Sequence, residues 1–201
     1  MDWGSEMEEK RDEEPIVREG PVTYDDYAAM PDDGNRYEII DGVLEMMSPG
    51  PMAIHQGVSR ELFLVLQSCR SKYEIYYAPF DVILSRTTVL QPDIIMIHHS
   101  RLDIVKKHGV EGAPDLVIEI LSPSTRKRDK VVKAAAYAKH KVPEYWLVDP
   151  EARTLEQYWL DGERYDLKEL YEEGDRISSD KLPCVSFKLK DIFDNIRVTG
   201  M

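Results

Sequence analysis

The chain has 201 residues and a formal net charge of -12, and 42% of its residues are hydrophobic. This length is typical of one domain that buries its core without disulfides or a structural metal. No apolar run reaches the roughly 18 residues of a membrane-spanning helix, so we expect no membrane association. The acidity argues against a protein that coats DNA through many phosphate contacts, but it leaves room for a local DNA site.

The N-terminal segment and the cysteines bear on the domain organisation and the cellular compartment of the protein. Residues 1–20 carry eight acidic and three basic side chains, which predicts a solvated, flexible tail before a single domain over residues 21–195. The segment lacks the basic start and apolar middle of a secretory signal, so we expect a cytoplasmic protein. Cys69 and Cys184 lie far apart without a metal-binding spacing, which predicts two buried thiols.

The first half of the domain is predicted to contain a short helix, a hairpin, a long helix and two strands. Thr23 is a suitable N-cap for a helix that Pro31 ends. Asp41-Gly42 is a typical two-residue hairpin turn. Apolar residues then recur at helical spacing from about 52 to 71. Two strand patterns follow, YEIYYAPFDVIL and LQPDIIMIH, and the second is apolar on both faces, as in a central strand.

The second half alternates strands with one helix. RLDIVKKHGVEG indicates a connection with a helical turn, and PDLVIEILS a third strand. STRKRDKVVKAAAYAKHK is rich in helix formers and cannot continue past Pro143. EYWLVDP is a fourth strand, Asp161-Gly162 marks a second hairpin, and VSFKLKDIF is a strand leading into a short helix. This order predicts an α/β (α+β) sandwich around a central mixed sheet flanked by helices.

Two carboxylates stand in the apolar strands and are candidates for metal chemistry. Asp93 begins DIIMI and Glu119 lies within DLVIEIL. Burying a lone carboxylate is costly, so each needs a cation, a metal or hydrogen-bond donors. Mg²⁺-dependent hydrolysis of a phosphodiester uses such oxygen ligands on rigid elements. The alternative is that Asp93 only follows a proline at a strand entrance and that Glu119 is a salt-bridged structural residue.

The position two residues after Glu119 lacks the cation that this chemistry needs. Strand alternation places Leu121 on the same face as Glu119. A cation there would offset charge that builds on the phosphate, which leucine cannot do. The next helix supplies cations, and we expect Lys133 to face the sheet and take this role, with Lys130 as the alternative. A Lys133–Glu119 distance beyond roughly 10 Å would leave the interaction too weak.

The basic run at the start of that helix is a candidate DNA contact. Its members are Arg126, Lys127, Arg128 and Lys130. They are expected to touch phosphates, although such runs often serve only solubility.

Two more residues are candidates for the site. Glu38, an acid in an apolar hairpin strand, could be a metal ligand or a base, and His55, near the start of the long helix, could contact phosphate or water.

At these residues the sequence resembles the Uma2 family, a bacterial group of restriction-endonuclease-like proteins within the PD-(D/E)XK nuclease superfamily. The resemblance covers about residues 21 to 190 and is carried by YEIIDGVLEMMSPGPMAIHQ, QPDIIMI, PDLVIEILSPST and VPEYWLVDP. It implies a restriction-endonuclease-like αβ sandwich with added N-terminal and C-terminal β-hairpins. It also implies a nuclease that binds Mg²⁺ or Mn²⁺.

The family pattern assigns roles to several residues of this chain. Asp93 matches the PD aspartate and Glu119 the (D/E) position, and the backbone carbonyl of Ile120 is expected to face the metal. The pattern has an apolar residue at Leu121 and a lysine in the next helix that matches Lys133. Catalytic positions are therefore expected at Asp93, Glu119, Lys133, Glu38 and His55, with Asp93, Glu119 and Glu38 as metal ligands.

The sequence supports two main hypotheses from different classes, and a structural interaction protein with a large exposed apolar patch is a third possibility. The first is a Mg²⁺-dependent DNA endonuclease, expected to act as a homodimer because cutting both strands of a duplex calls for two active sites. The second is a catalytically inactive nuclease-like module that binds nucleic acid or protein. The net negative charge and Leu121 favour the second, whereas the two carboxylates and a suitable lysine favour the first.

Overall fold

A computed structural model describes residues 20–47 and 52–197. The predicted acidic tail over residues 1–20 lies outside this part of the chain, apart from Gly20. None of the helices within it is long and apolar enough to cross a membrane. The helices are α1 (Tyr24–Ala28), α2 (Ala53–Leu66), a 3-10 turn (Gln67–Cys69), a second 3-10 segment (His99–Ile104), a π-helix (Arg128–Lys133), α3 (Ala134–Lys139) and α4 (Leu189–Phe193).

The strands of the described residues form two six-stranded sheets and a small hairpin. In chain order they are β1 (Tyr37–Ile40), β2 (Val43–Met46), β3 (Tyr73–Tyr77), β4 (Val82–Ser85), β5 (Thr88–Leu90), β6 (Ile94–His98), β7 (Val105–Lys106), β8 (Gly109–Glu111), β9 (Leu116–Ile120), β10 (Glu144–Asp149), β11 (Thr154–Asp161), β12 (Arg164–Tyr171), β13 (Arg176–Ser178) and β14 (Ser186–Lys188). The first sheet has the order β2-β1-β5-β4-β8-β7, and the second has the order β12-β11-β10-β9-β6-β3. The mixed α+β class is confirmed, but the N-terminal hairpin is part of the six-stranded first sheet rather than a simple addition to one central sheet.

Two of the predicted strands are each divided between the two sheets. The first pattern breaks at Pro79 into β3 and β4, and the second breaks at Pro92 into β5 and β6. Proline lacks the backbone N–H that a ladder needs, so it interrupts a strand inside a sheet. The chain therefore crosses between the sheets at both prolines. The second crossing places Asp93 at the junction.

The local signals for turns and caps are confirmed. Thr23 forms a capping box with Asp26 at the start of α1. Asp41 and Gly42 have φ of 50° and 83°, the left-handed conformation that a tight two-residue turn between β1 and β2 requires. The predicted long helix is α2 followed by one 3-10 turn. The strand passing into a short helix is β14 followed by α4.

The second sheet has an apolar core on each face. Ile118 and Ile120 of β9 pack with residues of α2 and α4 on one side. Val117 and Leu121 pack on the other side, with Tyr137 and with apolar residues of the first sheet. This alternation agrees with the predicted faces of the strand. β9 and β10 run parallel, and the π-helix and α3 connect them.

The prediction of two buried thiols is wrong, because Cys69 and Cys184 form a disulfide. Their Cα atoms are 5.1 Å apart across a sequence separation of 115 residues. Spacing along the chain could not reveal the pairing, because folding alone brings the end of α2 against the C-terminal segment. Disulfides are more common in oxidising compartments. The cytoplasmic location remains a prediction.

Candidate active site

A cleft of about 190 Å³ lies where the two sheets meet the π-helix. Residues from β1, the start of α2, the β5–β6 crossing, β9 and the π-helix line it. It contains all five residues expected to be catalytic, namely Glu38, His55, Asp93, Glu119 and Lys133. Tertiary folding thus brings together side chains that span 96 positions of the sequence, from 38 to 133.

Asp93 links two strands at the mouth of the cleft. Its Oδ2 accepts a hydrogen bond of 2.7 Å from the backbone N–H of Ile120. The same oxygen lies 3.3 Å from His55 Nε2. The position follows from the antiparallel register of β6 and β9, in which Ile94 pairs with Ile118 and residue 93 lies opposite residue 119. Asp93 therefore lies beside Glu119 at one end of the paired strands.

His55 is held by this carboxylate from the first turn of α2. Burial lowers the pKa of His55, but the hydrogen bond and the charge of Asp93 outweigh burial and raise it above the ordinary value. A backbone hydrogen bond with Ile120 acts in the same direction. The imidazole is therefore stabilised in its charged form and orients Asp93.

Glu119 is buried and has two donors on one oxygen. Its Oε1 accepts from Lys133 Nζ at 3.0 Å and from the Tyr137 hydroxyl at 2.8 Å. Burial raises the pKa of Glu119 well above its ordinary value, and Lys133 opposes this effect. Nearby Asp129 adds to the rise. A divalent cation would relieve this excess of negative charge.

Lys133 has the position expected of the missing cation. Its Nζ also lies 3.0 Å from Glu38 Oε1 and 3.8 Å from Asp129 Oδ1. Burial lowers the pKa of Lys133, but Glu119, Glu38 and Asp129 outweigh burial and raise it. The expected proximity to Glu119 is thus confirmed, while the catalytic role stays a prediction. The π-helix that carries Lys133 is a rare conformation that often occurs at functional sites.

Glu38 orients the cations of the cleft. Its Oε1 accepts from the backbone N–H of Gln91 at 2.8 Å and lies 3.0 Å from Lys133 Nζ. Its Oε2 lies 2.7 Å from Arg128 Nη2, which also pairs with Glu45 at 2.9 Å. Both oxygens therefore face positively charged or N–H groups. This arrangement suits a positioning residue better than the metal ligand expected from the sequence.

The basic run contributes less free positive charge than its composition indicates. Arg126 pairs with Asp149 and, at 3.2 Å, with Glu151. Lys130 Nζ lies 2.7 Å from Glu156, which places Lys130 outside the cluster around Glu119. Arg128 faces the two glutamates already described, and Lys127 is exposed. Most of this charge is balanced within the chain, and DNA contact by the run remains a prediction.

Three residues that contribute to the candidate site were not among those expected from the sequence. Tyr137 donates to Glu119, and Asp129 is buried beside Lys133. Both follow from helical spacing, because positions 129, 133 and 137 share one face. The third is Arg36, which lines the cleft two positions before Glu38. The period of a strand places those two on one face, so the alternation of RYE could have indicated it.

Asp93 and Glu119 are the residues best suited to hold a divalent cation. No group of three His, Cys, Asp or Glu side chains with metal-site spacing occurs in residues 20–47 and 52–197. Mg²⁺ commonly uses only one or two carboxylates, with water and substrate phosphate as the other ligands. The protein contacts described for Asp93 fall on Oδ2 and those for Glu119 on Oε1, which leaves one oxygen of each for a ligand. The pair fits such a site.

A family model described as "Putative restriction endonuclease" matches residues 24–190. The chain belongs to the Uma2 family. Its fold is similar to a crystal structure from Anabaena variabilis described as "a putative nuclease belonging to DUF820". The TM-score is 0.72 at 22% sequence identity, covering 88% of this chain and 100% of the other. No curated protein matches the chain. Family membership thus supports a nuclease, which hydrolyses phosphodiester bonds.

Proposed function

We propose that this Uma2 protein is a divalent-metal-dependent DNA endonuclease in which Asp93 and Glu119 hold Mg²⁺ or Mn²⁺. The observation that carries the proposal is the meeting of both carboxylates with Lys133 in one cleft. Four carboxylates, those of Glu38, Asp93, Glu119 and Asp129, are paired with three cations, which favours binding of a divalent cation. The three cations are His55, Arg128 and Lys133. When bound, such an ion polarises a phosphoryl oxygen and lowers the pKa of a bound water.

Lys133 is proposed to stabilise the negative charge that develops on the phosphate. Its ammonium is buried and kept charged by three carboxylates, so it needs no reorganisation when the reaction begins. Glu38 and Tyr137 keep it in place, the first by a direct contact and the second by fixing Glu119. Lys133 thereby supplies from the helix the positive charge that Leu121 cannot supply from the strand.

His55 and Glu38 are proposed as positioning residues. His55 holds the Asp93 carboxylate from the side of α2, and the backbone N–H of Ile120 holds it from β9. Glu38 bridges Lys133 and Arg128. Loss of His55 or of Glu38 would disturb the geometry of the site but would leave both proposed metal ligands, Asp93 and Glu119, in the chain.

Duplex DNA as substrate and a homodimer as the active form are parts of the same proposal. Two active sites are needed to cut both strands in one encounter. Sedimentation velocity of the purified chain tests the assembly, and we expect a dimer. A monomer that nonetheless linearises plasmid would refute the dimer alone.

Plasmid nicking by the full chain in Mg²⁺ or Mn²⁺ tests the activity. We expect the wild type to nick and Asp93→Asn, Glu119→Gln and Lys133→Met to lose at least about 100-fold in rate. Lys139→Met is the matched control, because Lys139 is an exposed lysine of the same helical segment that pairs with Asp41. Equal nicking by wild type and all three site variants would refute the assignment.

The rival function is a nuclease-like module that binds without cleaving. The engagement of Lys133 with both Glu38 and Glu119 favours it, because a buried ion pair can hold such a cluster together without a metal. Calorimetric titration with Mn²⁺ separates the two functions. Heat that disappears in Glu119→Gln supports the nuclease, whereas no binding at millimolar Mn²⁺ supports the module.

A further inference from the structure

Arg36 differs from the other cations of the cleft in what holds it. Arg128, Lys133 and His55 each face a carboxylate. The Arg36 Nε and Nη2 instead donate to one neutral oxygen, Oε1 of Gln91, at 2.9 and 2.7 Å. Among the described residues no ion pair within 4.0 Å involves Arg36. Its positive charge is thus fixed in place but not cancelled by direct pairing.

Hydrogen bonds with neighbouring residues fix the orientation of the Gln91 side chain, so its amide oxygen faces Arg36. It follows β5 directly and is buried. Its side-chain N–H₂ donates to Asp81 Oδ1 at 2.7 Å and to the Tyr27 hydroxyl at 3.2 Å. Its backbone N–H donates to Glu38 Oε1 at 2.8 Å. These contacts fix which end of the amide is the oxygen, because only the oxygen can accept from a guanidinium.

The guanidinium retains donors for a ligand. An arginine has five N–H bonds, and the contacts with Gln91 use two of them. The rest form a fork that matches two oxygens of a phosphate. Arg36 is exposed and lines the same cleft as Asp93 and Glu119, so an anion there can reach it. A neutral acceptor orients the fork without competing for its charge.

We propose that Arg36 binds a backbone phosphate of the nucleic-acid substrate and that Gln91 presents it. The inference rests on the proposed function and adds the residue that orients the strand in the cleft. Lys133 is too enclosed by carboxylates to bind a phosphate away from the reaction centre. Arg36 is accessible and preoriented, and it forms no direct ion pair with another residue of the described part of the chain.

The experiment measures equilibrium binding of a labelled DNA duplex to the full chain in EDTA, over a series of salt concentrations. For Arg36→Met we expect about tenfold weaker binding. The slope of log affinity against log salt should also fall by about one, as for the loss of one phosphate contact. In Mg²⁺, the KM for plasmid nicking should rise more than kcat falls. Arg86→Met is the control, since Arg86 is an exposed arginine that pairs with Asp25 outside the cleft.

Gln91→Glu provides the second variant and separates a functional from a structural role. It keeps the size of the side chain but places a carboxylate against Arg36, which cancels its charge. Because the Gln91 amide also donates to Asp81 Oδ1, Gln91→Glu is combined with Asp81→Asn, whose side-chain amide donates to the new carboxylate in return. Phosphate binding predicts weaker DNA affinity, whereas a structural role predicts unchanged affinity because the contact itself persists. Unchanged affinity and salt slope in Arg36→Met, or in Gln91→Glu if the former does not fold, would overturn the inference. If the wild type nicks DNA and both variants nick and bind DNA equally well, the role of Arg36 alone is refuted. If the wild type neither binds nor nicks DNA, the proposed function is refuted as well.

Discussion

Lys133 Nζ lies 3.0 Å from Glu119 Oε1, although the two residues are 14 positions apart and belong to a helix and a strand. Both side chains are buried, so the contact operates at low dielectric, where an ion pair is strong but each partner alone is costly. The strand therefore needs no lysine of its own. The site consists of a strand and the helix that follows it.

Replacing Lys133 by methionine is expected to reduce both activity and stability. The change leaves Glu38, Glu119 and Asp129 close together without their shared cation. Breaking a buried pair in this way costs about 3 kcal/mol. Urea unfolding gives the free energy, and plasmid nicking gives the activity. Lys139→Met should leave both the unfolding free energy and the nicking rate close to those of the wild type. Equal unfolding free energies for Lys133→Met and Lys139→Met would contradict a stabilising role of the buried ion pair.

Replacing Leu121 by lysine is not expected to improve the enzyme, although it restores a lysine on the strand. Leu121 packs in the apolar core with Val117 and Tyr137. A lysine there would bury a charge or a large polar group, at a cost of about 2 kcal/mol or more. Leu121→Met serves as the control for size and should cost less than about 1.5 kcal/mol. The double variant with Leu121→Lys and Lys133→Met is the decisive test. If it nicked plasmid at the wild-type rate, the strand position could carry the cation after all.

Glu38 and Glu119 should respond differently to loss of charge. Glu119→Gln is expected to abolish Mn²⁺ binding, because a proposed ligand becomes neutral. Glu38→Gln is expected to retain Mn²⁺ binding within about tenfold but to slow nicking, since its oxygens face Lys133 and Arg128. Calorimetry measures the first quantity and a plasmid assay the second. Loss of Mn²⁺ binding in Glu38→Gln would restore this residue as a metal ligand.

The His55–Asp93 pair should make stability depend on pH near neutrality. The pKa of His55 is raised in the folded state, so the folded protein binds this proton more tightly than the unfolded chain. The stabilisation is complete below about pH 6.5, the ordinary value for histidine, and is lost as the pH rises through the folded pKa.

Urea unfolding of the wild type and of His55→Gln at pH 6 and pH 9 measures this contribution. Glu119 and Asp129 also have raised pKa values and change stability in the same direction, so only the difference between the two proteins reports on His55. We expect the wild type to lose more stability than the variant. An equal loss in both would exclude the pair as the source.

The disulfide should stabilise the fold without contributing to the cleft. A cross-link over 115 residues restricts the unfolded chain, and such links typically contribute about 2 to 4 kcal/mol. A reductant should lower the urea midpoint of the wild type but not that of Cys69→Ser. Thiol titration of the denatured, unreduced protein should find no free thiol. Two titratable thiols would support the two free cysteines expected from the sequence.

The sequence by itself determined the local elements and the identity of the candidate residues. The turn at Asp41-Gly42, the cap at Thr23 and the apolar pattern of β9 depend on neighbouring residues, so they can be read along the chain. The family motifs supported Asp93, Glu119 and the helix lysine, which the strand and helix patterns had already singled out. The sequence favoured Lys133 and left Lys130 as the alternative, and the structure places Lys133 beside Glu119 and Lys130 beside Glu156.

Only the tertiary structure decided how these elements meet. Pro79 and Pro92 mark where strands break, but which sheet each half joins depends on long-range pairing. The Cys69–Cys184 link, the hold of Gln91 on Arg36 and the two-sided engagement of Glu38 likewise join residues far apart in sequence. Such contacts form because folding buries polar groups that must then find partners, and a one-dimensional pattern shows the need for a partner but not which residue meets it.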